Sequence, residues 1–268
     1  GIMDSISVII DETINLPSNE FVRAGYQFVG WGVTKDGGAN YDEFSDFIME
    51  DDSTVVLYAI WEKGSYSISY DLAGGVDGGN RHAYDVDSDS FTLNNPTRTG
   101  YSFTGWTGTD ISALSKTVTI SQGSTGNRSY TAHWEANTNK VRFDANGGIG
   151  TMSLVNAKTD ERINLPACKF TRTGYKFVGW ATSSGGKVVV SDSSNYTTGP
   201  KDITLYAVWE KESYSITYEL NGGSVNDNRV SYYCDTDSFT LQNPTKKGYT
   251  FAGWIGTGLT SSTKTVEI

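Results

Sequence analysis

Cysteine, histidine and proline are scarce in this chain of 268 residues, with two, two and five copies. The cysteines, Cys168 and Cys234, are too few for a disulfide framework and stand at unrelated positions, so they read as two unpaired, incidental thiols. The histidines, His82 and His133, have no partner pattern, which removes the usual parts of a catalytic triad or a histidine metal site. Gly-x-Ser-x-Gly, His-Glu-x-x-His and a phosphate loop are all missing. Basic residues are also few. Lys and Arg total 21 against 31 Asp and Glu, a net charge of −10. That balance argues against nucleic acid, whose phosphates need clustered cations, and against a polybasic membrane patch. No apolar run approaches the roughly 18 residues of a membrane span, so membrane insertion is not expected. Signal-peptide and LPxTG-type sorting patterns are lacking too, and such information is expected outside this stretch. No cofactor is implied.

The chain is rich in small polar and aromatic residues. It has 30 Gly, 29 Ser and 31 Thr, and Phe, Trp and Tyr make up 13%. Such a composition favours strands and turns over helices.

The seven tryptophans set the organisation. Trp31, Trp106, Trp180 and Trp254 are 75, 74 and 74 residues apart, and Trp61, Trp134 and Trp209 are 73 and 75 apart. A fixed period of this kind is the signature of a repeat array. The first series closes the motif Gly-Tyr-x-Phe-x-Gly-Trp, which begins at Gly25, Gly100, Gly174 and Gly248. The second series lies in closing segments, Leu57–Glu62, Tyr130–Glu135 and Leu205–Glu210. Opening segments run Ser65–Leu72, Lys140–Asn146 and Ser213–Leu220, each followed by a Gly-Gly pair. Ser65–Leu72 and Ser213–Leu220 are nearly identical, as are Ile14–Pro17 and Ile163–Pro166. The order is therefore A-B-A-B: A1 at residues 1–64, B1 at 65–137, A2 at 138–212 and B2 at 213–268. A1 lacks an opener and B2 lacks a closer.

Within a repeat the openers alternate, with Tyr66, Ile68, Tyr70 and Leu72 on one face, as in a half-buried strand. Gly-Gly permits a turn with positive φ. A second strand is expected around Ser5–Ile10, or Phe91–Leu93 in the B type. Gly30 leaves room for a bulge or a close approach. Phe44, Phe47 and Ile48 fall at i, i+3 and i+4 and predict a short helix within Tyr41–Glu50. The expected fold is mainly β: small sheets of four or five strands in tandem, with little helix. The links between units are short, which predicts an elongated rod.

The combination of Gly-Tyr-x-Phe-x-Gly-Trp, a Leu-Tyr-Ala-x-Trp closer and openers such as Val141-Arg-Phe-Asp-Ala-Asn-Gly-Gly148 resembles the internalin B-repeat, or Listeria–Bacteroides repeat. The resemblance covers essentially the whole chain. It implies β-grasp-like modules in tandem on secreted or surface-attached bacterial proteins. It brings no catalytic residues.

The repeated aromatics are expected in the cores: Tyr26, Phe28, Trp31 and Trp61; Tyr101, Phe103, Trp106 and Trp134; Tyr175, Phe177, Trp180 and Trp209; and Tyr249, Phe251 and Trp254. A minimal core needs such rings, each burying ~150–250 Å². Aromatics that do not repeat, Tyr41, Tyr196 and Tyr233, are the weak candidates for ligand binding. Asp85-Val-Asp87-Ser-Asp89 is the one metal-like run, but a calcium loop wants Gly at its sixth and Glu at its twelfth position. Ser90 and Pro96 stand there, so a solvated acidic turn is expected. Gly253-Trp-Ile-Gly256-Thr-Gly258 lacks the strand-then-helix setting of a dinucleotide fingerprint. The functional expectation is a non-catalytic spacer or stalk of an extracellular bacterial surface protein, an adhesin, projecting a distal domain. The alternative is a module that binds host glycoprotein, mucin or polysaccharide. Expected partners are the neighbouring repeats, with chain-to-chain β-pairing at Met3–Asp11 or Thr263–Ile268.

Overall fold

The computed structural model describes residues 1–268. They form two compact units, Gly1–Ala136 and Asn137–Ile268. Each unit is one A repeat followed by one B repeat.

In the first unit, A1 contains β1 (Thr13–Asn15), β2 (Tyr26–Gly32), β3 (Asp46–Ile48) and β4 (Tyr58–Lys63). B1 contains β5 (Tyr66–Asp71), β6 (Ala83–Tyr84), β7 (Phe91–Thr92), β8 (Tyr101–Gly108), β9 (Ile111–Ser115), β10 (Thr119–Ile120) and β11 (Arg128–Ala136). In the second unit, A2 contains β12 (Thr138–Asp144), β13 (Val155–Lys158), β14 (Arg162–Asn164), β15 (Tyr175–Ala181), β16 (Asn195–Thr197) and β17 (Ile203–Lys211). B2 contains β18 (Ser213–Ser215) and β19 (Ser231–Tyr233).

The complete repeats share one plan. B1 builds a five-stranded sheet in the order β6-β5-β11-β8-β9, and A2 a four-stranded sheet in the order β13-β12-β17-β15. In both, opener and closer are central neighbours and run parallel, while the Gly-Tyr strand pairs antiparallel with the closer. Parallel neighbours need a long crossover, here the body of the repeat. A1 and B2 have only two-stranded pairings: β1 with β3, β2 with β4, and β18 with β19.

The Gly-Tyr strand shows why a glycine precedes its tryptophan. Phe28 and Trp31 are three residues apart, an odd spacing that would put them on opposite faces. The pairing register shifts between Phe28 and Gly30, and between Phe177 and Gly179. That bulge restores the parity. Phe28 and Trp31 then meet edge to face at 5.0 Å, and Phe177 and Trp180 at 4.9 Å. Gly30 thus marks the bulge that brings Trp31 inward rather than merely extending the face of Tyr26 and Phe28.

Two expectations are corrected. The chain is all β, and Tyr41–Glu50 holds a turn and β3 instead of a helix. Phe44 has φ 63° and is 65% exposed, and Ile48 is also exposed, so only Phe47 of the spaced triplet is buried. Ser5–Ile10 is not a strand. Its A2 counterpart, β13, pairs with the opener β12. In B1, Phe91–Thr92 does form a strand, but its partner is β10.

Candidate functional site

The repeat tryptophans divide into two environments, while Tyr249, expected in a core, is 72% exposed, with only Lys246 laid over its ring. Trp106 and Trp180 are 0% exposed, and Trp31 is nearly as buried. Together with Trp254 their indole Nε1 atoms are buried without a hydrogen-bond acceptor. Each instead meets rings. Trp106 faces Phe103 and Tyr70, Trp180 faces Phe177, Phe143 and Phe170, and Trp254 faces Phe251 and Tyr218. The closer tryptophans are half-buried, and two of the three are bonded. Trp134 Nε1 donates to Leu72 O and Trp209 Nε1 to Ala145 O, both at 2.9 Å.

Those carbonyls belong to the opener turns, where each of the paired glycines has its own reason. Ala73 and Gly74 both have positive φ, at 47° and 83°, and Gly75 N donates to Leu72 O at 2.9 Å. That is the pattern of a type I′ turn. The second glycine lies against the closer indole. A Cβ on Gly75 would come within 2.5 Å of Trp134 Cζ2, and one on Gly148 within 2.7 Å of Trp209 Cζ2.

A basic residue two positions before each Gly-Tyr was not singled out from the sequence. Arg23, Arg98, Arg172 and Lys246 lie over the rings of Tyr26, Tyr101, Tyr175 and Tyr249 at 3.6 to 4.4 Å. Such a contact is favourable through the ring quadrupole. Arg98 Nη1 also donates to Ala73 O, and Lys246 Nζ to Asn221 O. The residue therefore ties the Gly-Tyr strand to the opener turn. Its signal was the constant two-residue offset.

A second missed feature lies where A meets B inside each unit. Lys63 at the end of β4 forms an ion pair with Asp87 at 2.7 Å, and Tyr26 Oη donates to the same carboxylate at 3.1 Å. The adjacent Val86 is buried against Gly25, where a Cβ would fall 1.7 Å from Val86 Cγ1. The second unit repeats this design. Lys211 pairs with Asp235, and Cys234 occupies the place of Val86, with its Cβ 2.3 Å from a Cβ built on Gly174. Gly25 and Gly174 both have positive φ, 79° and 76°. Hydrogen bonds and charge from Lys63 and then Tyr26 hold the Asp87 carboxyl below its usual range, and Lys211 does the same for Asp235. The acidic run is thus no merely solvated turn, because Asp87 is half of a latch. The sequence did carry a cue: Lys follows Trp-Glu in the A closers (Lys63, Lys211), where B1 has Ala136.

The weak ligand candidates are scattered. Tyr41 packs edge to face on Phe47 at 5.4 Å in the A1 core, and Tyr196 packs in the A2 core, where burial raises its hydroxyl pKa. Tyr233 is exposed on β19. Nothing brings the three together. His133 Nε2 lies 2.7 Å from Thr107 Oγ1, and His82 lies edge-on to Tyr70. Both cysteines are free, and burial pushes the Cys168 thiol up. No group of three His, Cys, Asp or Glu side chains is placed to hold a metal ion. No helix is long and apolar enough to cross a membrane.

B1 has two clefts. One, of about 430 Å³, lies beside Arg98, Tyr101, Phe103 and Trp134. The other, of about 580 Å³, is a groove along β9 and β10 with hydroxyls of Ser112, Ser115, Thr117, Thr119, Ser121 and Ser124 on its walls. Arg128 also lines it, held by Asp110 at 2.6 Å and Tyr84 Oη at 2.8 Å.

Among known proteins, the chain is 29% identical over 256 residues to a protein of Evansella cellulosilytica described as a Gly-rich membrane protein, covering 92% of this chain and 28% of that one. It is 32% identical over 105 residues to internalin H of Listeria monocytogenes, covering 39% of this chain and 18% of the relative. The chain thus spans less than a third of the length of these relatives. The model of the Listeria-Bacteroides repeat domain matches four times, at residues 1–60, 66–132, 140–208 and 214–266. With four matches over almost its full length, the chain belongs to the Listeria-Bacteroides repeat domain family.

Proposed function

We propose that the chain is a non-catalytic spacer in a larger bacterial surface protein, a stalk that holds a distal adhesive domain away from the cell. The observation that carries this reading is the twice-built A–B latch, Gly25 with Val86 and Lys63 with Asp87, then Gly174 with Cys234 and Lys211 with Asp235. It joins neighbouring modules by packing and by an ion pair at the same place, as suits a repeat array stabilised by nearest-neighbour contacts. A helix-free, β-grasp-like module is part of the proposal, supported by the parallel central pairing of opener and closer. An extracellular, cell-surface location rests on the membrane-protein and internalin relatives. Small-angle scattering on proteins with two, four and six repeats tests the spacer. The maximum dimension is expected to rise by a constant increment per doublet, and a dimension that stays level would refute it.

The hydroxyl-lined groove of B1 favours a second reading, recognition of a polysaccharide through its many small donors and acceptors. A glycan array on the whole chain separates the two. Hits that disappear on replacing Ser112 and Thr119 by Val would favour binding, and no hits would favour the spacer.

A further inference from the structure

In B1 and A2 the first long strand and the last are neighbours. A2 enters through β12 and leaves through β17, and the two run parallel, with Val141 opposite Ile203 and Asp144 opposite Tyr206. B1 enters through β5 and leaves through β11, with Ile68 opposite Arg128 and Asp71 opposite Thr131. Little chain separates one repeat from the next. Only Gly64 and Ser65 lie between β4 and β5, and only Glu212 between β17 and β18. Tension along the chain therefore reaches the N-terminal end of the opener and the C-terminal end of the closer. Because the two strands are parallel, it pulls them in opposite directions along their own axes. The evenly spaced bonds of a parallel ladder then carry the load together. Strands pulled apart from one shared end lose their bonds one at a time.

Side chains tie both ends of this pairing, at equivalent places in the two repeats. At the entry end, the residue just before the closer accepts a bond from the opener backbone. Asn127 Oδ1 accepts from Ser67 N at 2.9 Å, and Asp202 Oδ1 from Lys140 N at 2.8 Å. The other Asp202 oxygen pairs with Arg142 at 3.0 Å. At the far end the closer indoles hold the opener turn through Leu72 O and Ala145 O, and Asn146 Nδ2 donates to Ala207 O at 2.8 Å. Buried side chains seal one face of each ladder, Ile68 and Tyr130 in B1 and Val141 and Leu205 in A2. Water is kept from that face, where it would compete for the backbone groups. The Gly-Tyr strand has the opposite geometry. It is antiparallel to the closer, with Tyr175 opposite Lys211, so once the opener has left, tension peels it from one end.

We propose that the opener–closer pair of B1 and of A2 is a shear clamp that sets the mechanical strength of the repeat, with Asn127 and Asp202 as its positioning residues. Each clamp holds until its ladder breaks as a unit, and the rest of the repeat then extends with little resistance. This deepens the spacer reading and rests on it, since a clamp serves only a chain under tension. Scattering measures length and pulling measures strength, so either can fail alone.

The test stretches the 268-residue chain between its ends in a force spectrometer, with Cys168 and Cys234 replaced by Ser. B1 and A2 are each expected to give a sharp force peak that releases one repeat, about 250 Å of chain at ~3.4 Å per residue. Asn127→Ala should lower one peak and Asp202→Ala the other. Forced unfolding is governed by the unfolding barrier and not by equilibrium stability. Val155→Ala, on β13 outside the load path, should therefore lower the melting temperature and leave both peaks in place. A second geometry keeps one handle at the N-terminus and moves the other to Lys201→Cys, beside the N-terminal end of β17. A2 is then peeled while B1 is still sheared, so the A2 peak should fall severalfold and the B1 peak should not. Equal A2 forces in the two geometries would overturn the proposal. So would forces that follow melting temperature alone across Asp202→Ala and Val155→Ala.

Discussion

Trp180 is fully buried among Phe143, Phe170 and Phe177. Trp180→Ala should cost ~3–5 kcal/mol, a large fraction of what a small module holding about 0.05–0.15 kcal/mol per residue has. The expected result is a markedly lowered calorimetric transition for the half 137–268 while that of 1–136 is unchanged; a wild-type profile would place the indole outside the core. Asp87 supports a second prediction. Its carboxylate is already engaged by Lys63 and Tyr26, so millimolar calcium should leave the melting temperature unchanged. An upward shift abolished by Asp87→Asn would show that the acidic run binds the ion. The aromatic positions were legible because each recurs at a fixed period. The roles of Asp87, Cys234 and Arg98 were not. Each acts across a turn or a repeat boundary, and a linear sequence does not say which residues face one another there.

At the scale of the element, the latch makes the A–B junction sensitive to pH. Asp87 and Asp235 are held below the usual carboxylate range. Their contribution is therefore fully present above the unfolded Asp value, about 3.9, and is lost as pH falls through the depressed folded values. Lys63 and Lys211 are raised by the same carboxylates. Their contribution is present below the unfolded Lys value, about 10.4, and is lost as pH rises through the raised ones. The melting-temperature gap between wild type and the Asp87→Asn, Asp235→Asn double variant should thus be widest near neutrality and close at both extremes; a gap independent of pH would exclude the ion pairs as its cause. Gly174→Val tests the packing half of the latch. It forces a side chain onto Cys234 at a positive φ, which costs of order 1–3 kcal/mol in backbone strain alone. Openers and closers were readable as strands from their alternation, and the bulge was readable from the glycine before each Trp. The false helix at Tyr41–Glu50 came from a spacing that helices and turn-plus-strand segments share. The positive φ of Phe44 decided between them, and no propensity for it is visible in a phenylalanine.

For the whole molecule, the sequence period divides the chain into four and the structure groups it into two, Gly1–Ala136 and Asn137–Ile268. Expressed separately, these halves should each melt in one cooperative step. A half that stays unfolded by circular dichroism would refute their independence. Pairing the repeats into doublets was legible only as A-B alternation, since the contacts that join A to B rest on single residues inside otherwise variable turns. The two tryptophan environments also make the protein its own optical gauge. Indoles sealed among rings without a polar neighbour emit at shorter wavelengths than indoles bonded to a carbonyl near solvent. The Gly-Tyr series, with its unpartnered Nε1 atoms, should therefore supply the blue edge of the emission spectrum, and the bonded closers Trp134 and Trp209 the red. Under load or denaturant the order in which these two bands change would report which face of a module opens first, with no label attached.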